Sequence, residues 1–96
     1  MRIQCGAAVA VAIAGLLLHL QPLEWVAIVL CAAAVFSAEI TNTAIEAVVD
    51  LSSPGYSELA RIAKDAGAAA VLVAAGASVI VGLLVLGPHL LALLRP

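Results

Sequence analysis

Three long apolar runs, separated by two short polar breaks, set the pattern of the chain. The first run, roughly 3–20, is dense in Ala, Val and Leu, with Gln4 near its start and His19 near its end. Gln21-Pro22-Leu23-Glu24 reads as a tight polar turn. Pro22 suits the first turn of the following helix, where its missing N–H costs nothing. The second predicted helix covers about 24–50, yet only Trp25 to Ala38 within it is free of charge. Leu51-Ser52-Ser53-Pro54-Gly55-Tyr56-Ser57 collects loop-forming residues, and Pro-Gly marks a turn. Ser57 is placed to cap a third helix, with acidic Glu58 in its first turn. That helix is predicted over about 58–86 and carries no charge from Ala66 onward. Gly87, Pro88 and His89 are read as its exit, and 90–96 as a short tail fraying at the surface.

Composition turns this pattern into a membrane protein. Of 96 residues, 66% are hydrophobic and only 10% are charged. A soluble domain of this size cannot hide so much apolar surface, because small domains bury a modest fraction of what they expose. A span needs about 20 mostly apolar residues. The expectation is therefore a single all-α domain over 1–96, an integral membrane protomer with three transmembrane helices. Three helices enclose little interior, so self-assembly is expected. Met1-Arg2 before an apolar run resembles a signal peptide. The run is long and two more follow, so the first helix is read as uncleaved. Arg2, Arg61 and Lys64 fall on one side and Arg95 on the other, which places the N-terminus and the 51–60 loop in the cytoplasm. Trp25 suits an interfacial anchor.

Net charge is -2 and no basic patch exists, which argues against a nucleic-acid partner. Cys5 and Cys31 lie in apolar runs and match no zinc spacing. They are read as buried small hydrophobes.

The informative exception to the apolar pattern is Glu39-Ile-Thr-Asn42-Thr43-Ala-Ile-Glu46-Ala-Val-Val-Asp50. Ionisable residues at membrane depth are expensive, and their default reading is functional. On a helix, 39, 42, 46 and 50 share one narrow face of three carboxylates and one amide. The short 51–60 connection brings that face toward Arg61, Lys64 and Asp65. Carboxylates with an amide oxygen are hard ligands that suit Mg²⁺. A lysine beside them holds phosphate as a point charge, and a further carboxylate can deprotonate a hydroxyl. These parts fit phosphoryl transfer to a lipid alcohol. They fit a cation or proton pathway too, in a small oligomeric transporter that uses Glu39 and Glu46 as relay groups. No glycine-rich phosphate loop or soluble-kinase signature is present.

The same stretch, with Tyr56, Glu58-Leu59 and Ala63-Lys64-Asp65 after it, resembles the prokaryotic diacylglycerol kinase family, which includes undecaprenol kinases. The resemblance runs from about Arg2 to the end of the third span. It implies a homotrimeric, multi-pass enzyme of the bacterial inner membrane, with sites built between subunits on the cytoplasmic side. The implied reaction moves the γ-phosphate of MgATP to diacylglycerol or undecaprenol, giving phosphatidic acid or undecaprenyl phosphate. Carried over by position, Glu39 would be the base near the lipid hydroxyl and Glu46 a Mg²⁺ ligand. Asn42 would lie close to the phosphates or metal, Lys64 on ATP phosphate, and Asp50 and Asp65 around the nucleotide. The Asn42-Thr43 pair and the Leu51-to-Pro54 loop lean toward undecaprenol-type members. Family members usually open with an amphipathic surface helix that carries a second metal-binding glutamate. Here Met1-Arg2 starts just after that point, so an impaired or truncated relative is the alternative.

Blander readings stand beside these. Glu39 and Glu46 would serve as paired or protonated packing residues, and Asp50 as a solvated helix-end group. Asn42 reads equally well as interhelical glue. Thr41 and Thr43 are expected to pack, Arg61 to anchor, His19 and His89 to sit at the interface, and Glu24 to be solvated. The Ala- and Gly-rich 66–76 stretch is read as close-packing surface.

Overall fold

The computed structural model describes residues 2–52, 55 and 57–95. Three helices follow one another: α1 (Arg2–Leu18), α2 (Pro22–Ser52) and α3 (Glu58–Leu94). The all-helical expectation holds among the described residues. α2 and α3 have 31 and 37 residues, about 46 and 55 Å at about 1.5 Å per residue. Both exceed the roughly 30 Å hydrocarbon core, and both are apolar enough to cross it. α1 has 17 residues, short of the usual length for a span.

α1 stops two residues earlier than the apolar run suggests. His19 takes φ 58°, the left-handed conformation. The Leu20 N–H then donates to the Gly15 carbonyl at 3.2 Å. This is a Schellman closure, which normally has glycine in the left-handed position. His19 therefore forms the corner itself. Gly15 is required there: a Cβ would lie 2.6 Å from the Trp25 ring and 3.0 Å from Leu20 Cδ1. Leu20 is buried in this corner. Pro22 starts α2 as expected, and Glu24 accepts from the Gln21 N–H at 2.9 Å.

α2 and α3 form the dominant antiparallel pair, while α1 touches both only lightly. Their seam is marked by Ser78, whose hydroxyl donates to the carbonyls of Ala74 (2.8 Å) and Cys31 (3.4 Å). Several details depart from expectation. α2 runs through Leu51 to Ser52, residues read as loop; Ser53, Pro54 and Tyr56 lie outside the described residues. Ser57 caps α3 as predicted, accepting from the Ala60 N–H at 3.4 Å. α3 does not end at Gly87-Pro88: it continues through Pro88 to Leu94. A proline inside a helix removes its own N–H bond and crowds the carbonyl four residues back, a local cost that α3 absorbs here. Cys5 is exposed and Cys31 half-exposed, so neither is a buried core residue of this protomer.

Among the described residues only Gly15, Leu20 and Gly67 are buried. Large apolar side chains such as Leu17, Leu23, Leu72, Val73 and Leu84 stand exposed along the helices. Apolar surface on this scale is covered by lipid or by other copies of the chain.

Candidate active site

The polar face of α2 meets α3 in two places. Nearest the 51–57 connection, Lys64 Nζ lies 2.5 Å from Asp50 Oδ1. Lys64 also lies in the field of Glu46, one turn below Asp50 on the same face. Glu46 and Asp50 are exposed and Lys64 half-exposed, so this end opens to solvent. Deeper along the seam, Asn42 presses on Gly67 of α3. A methyl group there would collide with the Asn42 oxygen. That oxygen is buried and has no hydrogen-bond partner.

One turn deeper lies Glu39. It lines an open groove of about 470 Å³ together with Asn42, Thr43, Ala68, Val71 and Leu72. One wall is polar and comes from α2; the other is apolar and comes from α3. The Thr43 hydroxyl donates to the Glu39 carbonyl at 3.0 Å, which ties it to its own helix. Gln4 of α1 donates through Nε2 to Glu39 Oε1 at 2.5 Å.

Asp65 stands apart. Its carboxylate faces Arg61 at 3.0 Å, and Arg61 also pairs with Glu58. Adjacent helical residues point about 100° apart, so Asp65 cannot share Lys64's direction toward Asp50. Within one protomer, Glu39, Asn42, Glu46, Asp50 and Lys64 thus lie along one seam, and Asp65 lies on the outer face of α3.

At the opposite end of the seam, His89 Nε2 lies 3.0 and 3.1 Å from the two Glu24 oxygens. Glu24, expected to be solvated, is half-buried in this contact. The continuation of α3 past Pro88 is what carries His89 to it. Sequence reasoning missed this pair, because a helix expected to end at Gly87 puts His89 nowhere near residue 24. It also missed Gly67 and Gln4. Gln4 carried a signal, as the one amide in an apolar run. Gly67 carried its signal in its offset of three residues from Lys64, which puts both on the same face of α3.

The described residues contain no group of three His, Cys, Asp or Glu side chains able to close round a metal. Magnesium does not need one, since it commonly takes one or two carboxylates and completes its shell with water and substrate phosphates. The exposed Glu46 and Asp50 carboxylates and the unpartnered Asn42 oxygen are donors of the right hardness.

The family model for prokaryotic diacylglycerol kinase matches residues 1–86. The chain is 48% identical over 85 residues to an undecaprenol kinase of Bacillus subtilis, which covers 88% of this chain and 69% of the relative. It is 48% identical over 94 residues to a diacylglycerol kinase of Synechocystis, 97% of this chain and 54% of the relative. It is 51% identical over 51 residues to a diacylglycerol kinase of Escherichia coli, 53% of this chain and 42% of the relative. The chain thus spans between about two fifths and two thirds of these relatives' lengths. No solved structure gives a significant match. The chain belongs to the prokaryotic diacylglycerol kinase family.

Proposed function

We propose that this chain is a membrane lipid kinase that transfers the γ-phosphate of ATP to the hydroxyl of diacylglycerol or undecaprenol. The carrying observation is the seam itself. A lysine and a carboxylate-rich helix face meet at its solvent-open end, and a further glutamate lines a half-apolar groove deeper down. A lipid alcohol has matching halves, with an apolar chain for the α3 wall and a hydroxyl for Glu39. The family and its named lipid kinases support the same reading.

In this reading Glu39 accepts the hydroxyl proton as the lipid oxygen attacks phosphorus. Lys64 leaves Asp50 for the ATP phosphates, exchanging one anion for another at little electrostatic cost. Glu46 holds magnesium, with Asn42 and Asp50 close by. Magnesium supplies neutralisation of phosphate charge, which with positioning is most of what phosphoryl transfer asks of an enzyme. Asp65 reaches the nucleotide only from the outer face of α3, which suits a site shared with a neighbouring copy. The full proposal is a three-span homotrimer in the bacterial inner membrane with its active site on the cytoplasmic side. Exposed apolar side chains along α1 and its continuous apolar run support the third span.

The test is ATP-dependent phosphorylation across a lipid panel, with the chain in bilayers and Mg²⁺ supplied. We expect labelled phosphate on diacylglycerol, undecaprenol or both. Glu39→Gln and Glu46→Gln should each lower turnover by at least about 100-fold, the range of a lost catalytic base or metal ligand, while assembly persists. Liposome ion flux that needs Glu39 but no ATP would replace the kinase reading with a transport one.

A further inference from the structure

Asn42 is the single asparagine of the chain. It stands between Glu39 and Glu46 on the polar face of α2, three residues from one and four from the other. Its carboxamide has two unlike ends, an oxygen that only accepts and an N–H2 that only donates. The oxygen is buried without a hydrogen-bond partner. It faces Gly67 of α3, where an added Cβ would collide with it and lie 3.3 Å from Asn42 Cγ and 3.6 Å from Ile45 Cδ1. The bare Cα of the glycine thus leaves a seat for the head of the amide. A carbon-bound hydrogen is a weak donor, so this seat suits the oxygen, whereas an N–H2 there would set hydrogen against hydrogen. Asn42 also lines the groove that holds Glu39. With its oxygen closed off by α3, the N–H2 is the end left to work there. A buried oxygen short of a strong donor costs stability, and alanine at 42 would avoid that cost.

We propose that Gly67 is a positioning residue for the transfer: its missing side chain lets Asn42 seat oxygen-inward on α3, which fixes the carboxamide with its N–H2 toward the groove. The inference rests on the lipid-kinase reading, with Asn42 beside the transferred group. A donor fixed in advance can meet an anionic oxygen as charge develops there, with no reorganisation at the moment of reaction. A side chain at 67 pushes the amide out of its seat, and the donor then has to be aligned anew at each turnover. Gly67 itself touches no substrate in this account. It acts through Asn42 alone.

The experiment compares Gly67→Ala, Asn42→Ala, Asn42→Asp and the Gly67→Ala/Asn42→Ala double variant with wild type, in bilayers with Mg²⁺, at varied ATP and lipid. Positioning predicts that Gly67→Ala lowers kcat at least about tenfold with both KM values within about twofold. In the Asn42→Ala background the same methyl group should change kcat by less than about twofold, because the side chain it acts through is gone. Asn42→Asp, which exchanges the donor end for a second acceptor, should lose at least as much kcat as Asn42→Ala. Thermal midpoints are measured alongside. A packing role alone lowers the midpoint of Gly67→Ala and leaves kcat below that temperature near wild type, which overturns the proposal. Near-wild-type kcat in Asn42→Asp makes the oxygen the working end and overturns it as well. If Gly67→Ala does not fold, the Asn42→Asp comparison decides. A second readout needs no turnover. Labelling asparagine with ¹⁵N gives one side-chain N–H2 signal pair in this chain. The pair should move in Gly67→Ala, and an unmoved pair overturns the proposal. Full activity in Asn42→Ala refutes the role of Asn42, and that of Gly67 with it. No ATP-dependent transfer by wild type refutes the kinase reading, and the N–H2 signal then still decides whether Gly67 seats the amide.

Discussion

Single side chains along the α2–α3 seam carry distinct loads. Lys64 holds Asp50 in the absence of substrate, and both groups are largely open to water, so the pair itself adds little stability. In the proposed reading its value is poise, an ammonium already held against an anion at the solvent-open end of the seam. Lys64→Ala should raise KM for ATP about tenfold or more and leave KM for lipid within about twofold, as steady-state kinetics with each substrate varied would show. A rise confined to lipid KM would remove the phosphate role. Gly67 is limiting for a different reason. A methyl group there meets the Asn42 oxygen, which is buried at the helix contact. Gly67→Ala should cost about 1–3 kcal/mol of stability, the usual range for overpacking, and most of it should return in the double variant with Asn42→Ala. Thermal unfolding of the two variants decides it, since coupled neighbours are non-additive in just this way.

At the scale of elements, α2 and α3 meet in polar contacts at both ends of their seam. The Asp50–Lys64 pair closes one end and Glu24–His89 the other. The second pair exists because α3 runs seven residues beyond Gly87. The proline at the start of this extension removes one helix hydrogen bond, and the His89 contact helps to offset that loss. His89→Ala should lower the thermal midpoint, because Glu24 loses the partner that it has across the seam. Because the pair is remote from the groove, KM and kcat should stay within about twofold. A variant with unchanged thermal midpoint would show that the contact is idle. The α1–α2 corner depends on Gly15, whose missing side chain admits the Trp25 ring. This corner fixes the line of α1 and hence the approach of Gln4 to Glu39.

For the whole molecule, the deciding quantity is exposed apolar surface. The protomer is elongated, 61 × 20 × 17 Å, and buries almost none of its large side chains. Hydrophobic burial within one copy therefore cannot hold it together; lipid or neighbouring copies cover its flanks. We expect the chain in mild detergent to run as a trimer by light scattering, and dilution into excess detergent to dissociate it with loss of turnover. Full activity in a verified monomer would show that each site is complete within one chain. Asp65, on the outer face of α3 and paired with Arg61, is the residue whose contribution would depend most on a neighbour.

The sequence by itself determined the class of structure and the polar face of α2. Apolar run length decides spanning helices, and the spacing of 39, 42, 46 and 50 decides that those groups share a face, since both follow from local helix geometry. It also determined the Ser57 cap and the Pro22 start, which are contacts within one turn. Tertiary structure alone decided what lies opposite each group. Lys64 meets Asp50 while its neighbour Asp65 turns to Arg61; Asn42 rests on Gly67; Gln4 reaches Glu39; and His89 finds Glu24 only because α3 passes through its proline. Such pairings depend on the register between antiparallel helices, and that register is set by many small contacts spread along the seam, which no local pattern of residues encodes.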